Sequence, residues 1–400
     1  MDAPWMRFLS PTDPLASNLT DSNKNIDAQI LRKTAWILLA VAINALEFFI
    51  PRIPFFPWLK PGFANCVTII WIIEFGMVDA LLFTLLRVWI VGFYFGFPFL
   101  TFTLSLSGGV CSTVAMALAW MIAGKRGFLG TIGTGVIGAL VHNFAQIAVI
   151  YFLFAKNLHV FYQVPVMLIA SVVFGAITGA VAPTLLTLLN NAQNRFPHSM
   201  AITHMPENKV RRRDTVVPLL LLAGSCAVAI INNIAVLVLC AVASTIAVQA
   251  LSKSLVRGLL RPITRFWLMF VFIAFVHLFL SYGTKIEAIP IFTYEGARLT
   301  LIQWLRLWTW LELSFILTHL NFHEVVLYLL RRLFPLHRPT IYSGVLALEF
   351  FPATIGAMQK KRKGLMARLC RYPLSGTRKG LENLYGEVVG LMSAKEKNCY

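Results

Sequence analysis

The sequence predicts an all-α polytopic membrane protein with about ten transmembrane helices and amphipathic helices on the cytoplasmic side. Three observations predict it. Apolar residues make up 58% of the 400 and charged residues only 13%, about half the charged share of an ordinary globular chain. Apolar runs of about 20 residues recur, the length that crosses a hydrocarbon core of about 30 Å. The Lys and Arg residues behind the net charge of +18 gather between those runs, which points to a lipid bilayer as partner and not to nucleic acid.

Residues 1–33 form a polar N-terminal tail without the basic n-region and adjoining apolar h-region of a cleaved signal, so the first span is expected to insert and stay. Spans are expected near 34–50, 62–77, 79–94, 101–124, 127–154 and 162–190, then, after a basic linker at 191–214, near 215–231, 234–251, 266–283 and 297–319. Arg32 and Lys33, Lys125 and Arg126, Arg195 to Arg213, Lys253 to Arg265, and Arg331 to Arg338 then fall on one side. That side is cytoplasmic by the positive-inside rule, with both termini on it. Such a multi-pass chain is expected in a bacterial cytoplasmic (inner) membrane.

Residues 322–334, "FHEVVLYLLRRLF", have the pattern of a helix lying along the surface. Between Lys360 and Lys379 there are eight Lys or Arg and no acid, and a mixed-charge tail occupies 381–400. The six cysteines are scattered without a C-x-x-C pair, so neither a disulfide framework nor a zinc site is expected. No G-x-x-x-x-G-K-[ST] occurs, so any ATP use would need a separate chain.

One stretch, "GTGVIGALVHNFAQ" at 133–146, contains a literal G-x-G-x-x-G. A dinucleotide loop needs a preceding strand and an acid roughly 20 residues on. Here no acid stands between Asp79 and Glu207, so Gly133, Gly135 and Gly138 are expected to pack helices, as are Gly175 and Gly179. His142, Asn143 and Gln146 remain as polar groups inside an apolar span, where such groups form interhelical hydrogen bonds or mark a site. Pro51, Pro54, Pro57 and Pro61 stiffen the preceding outside loop. Glu47, Lys60 and Asn65 flank it, so that loop could cap a small ligand. The candidate substrate-binding set is therefore Glu47, Lys60, Asn65, His142, Asn143 and Gln146. No catalytic or metal-binding constellation is expected.

"ALEFFIPRIPFFPWLKPGFANCVTII", "LLRVWIVGFYFG", "SLSGGVCS" and "GALVHNFAQ" together resemble a membrane family described as heptaprenyl diphosphate synthase component I. That family is in turn similar to the substrate-binding S-components of energy-coupling factor (ECF) transporters. The resemblance implies a six-helix S-component-like domain at 34–190. "FTYEGARLTLIQWLRLW" (292–308) and "EVVLYLLRRLFPLHRPTIYSGVLALEFFPATIGAM" (324–358) resemble the T-component of the same transporters, implying a coupling domain at 215–380. In such domains arginines of short triplets enter grooves of cytoplasmic ATPases. Ala367-Arg368-Leu369 fits the first triplet; Arg378-Lys379-Gly380 or Arg362-Lys363-Gly364 fits the second.

These resemblances imply an ABC-type importer subunit that is not itself an enzyme. It would bind no cofactor, with ATP and magnesium on partner ATPases. Its substrate would be a small molecule such as a vitamin, a flavin or a prenyl or quinone precursor. The alternative is a membrane accessory protein or enzyme of isoprenoid or quinone metabolism, against which stands the lack of any Asp-Asp pair. An ion-driven transporter would need buried acids, but Glu47, Glu74, Asp79, Glu312 and Glu349 are scattered and no inverted repeat is visible.

Overall fold

The computed structural model describes residues 29–44, 47, 62–95, 99–124, 126–155, 158–195, 212–252, parts of 267–279, 283–286, 289–320, 322–348 and 350–351. The described chain is almost entirely α-helical. Its helices are α1 (29–44), α2 (Asn65–Phe75), α3 (Met77–Phe95), α4 (Phe99–Ala119), α5 (Thr131–Ile150), α6 (Val164–Arg195), α7 (Arg212–Ile230), α8 (Ile234–Ser252), α9 (Tyr294–His319), α10 (Phe322–Leu333) and α11 (338–348). A short antiparallel pair, β1 (Lys285–Ile286) and β2 (Ile289–Thr293), precedes α9.

Four stretches among the described residues are long and apolar enough to cross a bilayer: Phe102–Gly124, Thr131–Leu153, Val160–Leu188 and Ile234–Leu251. Many of their large apolar side chains face outward, among them Ile122, Phe152, Ile169, Leu239 and Ile246. That is the inverse of a water-soluble surface and suits contact with lipid. The chain is thus membrane-associated.

Local chemistry explains the shorter elements. α2 has 11 residues, about 16 Å at 1.5 Å per residue, which is half a hydrocarbon core. It ends at Gly76, whose φ of 84° few side-chain-bearing residues adopt. The chain turns back there, and Trp71 stacks on Phe83 with ring centroids 4.2 Å apart. α5 continues into a π-turn at Tyr151–Ala155. α9 is capped by Thr293, whose side chain accepts the Gly296 N–H.

The described residues form two compact units. In the smaller, Lys33 Nζ donates to Thr340 Oγ1 at 2.7 Å and Ser343 Oγ to the Ile30 carbonyl at 3.0 Å, tying α1 to α11. The larger unit holds residues 43–182 and 209–330. Its core includes Leu104, Ile147, Met167, Val228, Leu237, Ile302 and Trp310, from α4 through α9. The helices on either side of the 191–214 linker therefore share one apolar core.

Candidate functional site

Gly108 and Gly109, side by side on α4, position the first group of polar residues. A β-carbon on Gly108 would lie 2.8 Å from the His142 ring, so its bare surface is the seat of that imidazole. Gln146, one turn further along α5, places Nε2 3.0 Å from His142 Nε2. The pair shares a face, as a spacing of four requires. Gln146 is only 2% exposed, and its Oε1 has no hydrogen-bond partner among the described residues.

Asn143 points elsewhere. Its Nδ2 donates to Ser171 Oγ at 2.7 Å, joining α5 to α6, and Ser171 in turn donates to the Met167 carbonyl. Interhelical contacts of this kind contribute about 1 kcal/mol. Asn143 and Ser171 also line a cleft of about 10 Å³ with Ile147, Val164, Met167 and Leu168, room for about one water molecule.

Glu47 and Asn65 are buried, 8% and 7% exposed. Asn65 opens α2 and folds over Gly62, where a β-carbon would stand 3.2 Å from Asn65 Nδ2. Glu47 lies within electrostatic reach of Arg87 and Cys66. The sequence-predicted residues therefore fall into three groups: His142 bonded to Gln146, Asn143 bonded to Ser171, and Glu47 within electrostatic reach of Arg87. Lys60, the proline loop, and Arg362, Arg368 and Arg378 lie outside the described residues.

Sequence reasoning had assigned no role to Arg87. It sits in α3, 4% exposed, with its guanidinium carbon 5.8 Å from the centre of the Phe83 ring. On its other side Gly109 keeps α4 thin: a β-carbon there would lie 3.0 Å from Thr84 and 3.9 Å from Arg87 Nη2. The signal was present as one arginine within "DALLFTLLRVWIVGFYF", an ionisable residue in an apolar stretch.

Two other buried charges belong to packing. Arg306 on α9 is 1% exposed and donates to the Ile231 carbonyl at 2.6 Å and to Asn232 Oδ1 at 2.9 Å, with the Leu153 carbonyl at 3.5 Å. It caps the C-terminal end of α7 and reaches that of α5, where orphan carbonyls and the helix dipole favour a cation. Glu312 accepts from Ser244 Oγ and from Thr245 Oγ1, the latter at 2.7 Å, joining α9 to α8. Among the described residues no cluster of three His, Cys, Asp or Glu side chains could hold a metal ion.

Residues 36–185 match the family model described as heptaprenyl diphosphate synthase component I. The match takes in every described residue of the three groups. No curated protein and no solved structure matches the chain.

The match corrects two expectations. One was that the chain is not an enzyme; residues 36–185 match part of an enzyme-family domain. The other was its identity as joined S- and T-components of an ECF, ABC-type vitamin importer, since the match is to the synthase component. The physical reason is that the motifs behind the importer resemblance are motifs of helix packing. Gly108 and Gly109 admit His142 and Thr84, Trp304 Nε1 donates to the Phe270 carbonyl, and Arg306 caps helix ends. Any closely packed membrane bundle uses such residues, so they do not distinguish transport from other work.

Proposed function

We propose that this chain is a membrane-embedded component of an enzyme system forming a prenyl diphosphate or a related isoprenoid or quinone precursor. The match over residues 36–185 carries this reading. The chemistry supports a division of labour. Holding diphosphate through magnesium takes paired carboxylates, but the sequence has no Asp-Asp pair and the described donors do not fit a metal. That part of the reaction is therefore assigned to a partner chain, and no step is routed through a metal here. This chain contributes apolar helices that seat a hydrocarbon chain. Two separate sets of buried polar groups, Glu47 with Arg87 and His142 with Gln146, are available to meet its head and hold it in register.

The test is prenyl diphosphate formation by membranes from cells with and without the gene. Deletion should reduce long-chain product and the intact gene restore it, with His142→Ala/Gln146→Ala restoring less. Unchanged product on deletion would sink the reading.

We further read ten spans with both termini cytoplasmic in a bacterial inner membrane, supported by the placement of Lys and Arg. Single cysteines at Ser199 and Ser393, in a background lacking native cysteines, should resist an impermeant thiol reagent in intact cells. Labelling of either overturns that orientation.

A further inference from the structure

Four hydrogen-bonding groups on α2 and α3 are buried without a partner among the described residues: Thr68 Oγ1, Trp71 Nε1, and Nε and Nη1 of Arg87. All four can donate. Thr68, Trp71 and Arg87 are 0%, 0% and 4% exposed, so bulk water does not satisfy them. A buried donor left unsatisfied is costly, and more so when it carries charge. Two of the three guanidinium nitrogens are in that state at once.

The surroundings do not relieve it. Phe83 offers Arg87 a ring face and Trp71 stacks on the same ring. Thr84 and Thr113 bond one another at 2.9 Å, and Thr113 also donates to the Gly109 carbonyl at 2.8 Å. Both hydroxyl protons are thus committed, and neither oxygen accepts from Arg87 Nε or Nη1. Glu47 supplies a compensating charge within electrostatic reach, but it leaves the Nε and Nη1 donors unused. What is missing is an acceptor, and its chemistry follows from the donors. Arginine's planar, permanently charged head matches phosphoryl and carboxylate oxygens.

We propose that Arg87, with Thr68 and Trp71, forms a phosphoryl-binding site between α2 and α3 for the head of a prenyl phosphate or diphosphate. The choice of a prenyl tail rests on the function proposed above; the phosphoryl site rests on the unused donors alone.

The experiment is equilibrium binding to the full chain in nanodiscs of neutral lipid. The probes are farnesyl diphosphate, farnesol, inorganic diphosphate and, in separate discs, phosphatidylglycerol. Farnesyl diphosphate should bind at least tenfold more tightly than farnesol. Arg87→Gln should weaken it tenfold or more, and Thr68→Val, nearly isosteric, severalfold. If Arg87→Gln fails to fold, Thr68→Val carries the test, and unchanged affinity there overturns the site. Farnesyl diphosphate binding that ignores both substitutions removes the site while leaving the prenyl reading intact. Arg87-dependent binding of inorganic diphosphate or phosphatidylglycerol, without farnesyl diphosphate binding, keeps the phosphoryl site and removes the prenyl reading. Binding of no probe removes both.

Discussion

Gly135 and Gly175 bring the backbones of α5 and α6 into direct contact: a β-carbon on Gly135 would lie 2.3 Å from the Gly175 carbonyl oxygen. Gly179 continues the seam one turn on, where a β-carbon would meet the Thr131 carbonyl at 2.4 Å. The neighbours are backbone, which cannot rotate away as a side chain can. Overpacking typically costs about 1–3 kcal/mol, and here a helix would have to move. Gly135→Val and Gly175→Val should each lower the detergent melting temperature clearly. Gly133→Ala should do so less, since its added carbon meets only the Leu129 side chain. Equal effects at the three positions would refute a backbone seam.

The seat of His142 on Gly108 gives a coupling experiment. Gly108→Ala should destabilise by pushing the ring aside, and His142→Ala should remove most of that penalty. Contacting residues usually show coupling of about 0.5–3 kcal/mol in a double-mutant cycle. Additive effects would mean that the ring does not occupy this seat.

Arg306 binds carbonyl oxygens at two helix ends. Removing it strands acceptors that cost about 1–3 kcal/mol each when buried and unsatisfied. Arg306→Met, which keeps the stem, should therefore lower thermal stability by several degrees. Arg306→Lys should recover only part, because an ammonium lacks the planar fork that reaches Leu153 with one nitrogen and Ile231 and Asn232 with the other. Full rescue by Lys would show that charge alone suffices.

Glu295 lies outside the expected spans and is exposed. Hydrogen bonds from its own backbone N–H and from Thr284 hold its carboxyl below the usual carboxylate range. With the folded value below the unfolded one, its contribution is fully present above the ordinary carboxylate range. It is lost as pH falls through the lowered value. Protection from hydrogen exchange at 283–286 and 289–296, corrected for the intrinsic rate at each pH, should therefore fall on acidification, and Glu295→Gln should flatten that dependence. A slope unchanged by Glu295→Gln would place its source elsewhere.

Much of the fold was legible because a bilayer imposes a coarse and strict rule: backbone polar groups must be satisfied within each span. Apolar run length alone thus located α4 through α8, and the interruption near residue 77 is the turn at Gly76. The glycines at 135, 175 and 179 were legible as packing residues because no acid or strand accompanied them. The polar site was less legible. His142 and Gln146 share a face by spacing alone, whereas the direction of Asn143 depends on where Ser171 of α6 lies.

By itself the sequence determined the membrane character of the chain, the positions of its long helices and the shared helix face of His142 and Gln146. Each follows from local composition or from the 3.6-residue period, which need no knowledge of neighbours. Only the tertiary structure decided which buried polar groups are satisfied. Arg306 and Arg87 are both single arginines in apolar surroundings, and no local pattern separates them. One meets the carbonyl ends of other helices, brought in from residues 153 and 231, and keeps only its Nε without an acceptor. The other faces Phe83 and the bare side of Gly109 and keeps two nitrogens without acceptors. Satisfaction of a hydrogen bond is a property of pairs, and the pairs are made by packing helices far apart in the chain.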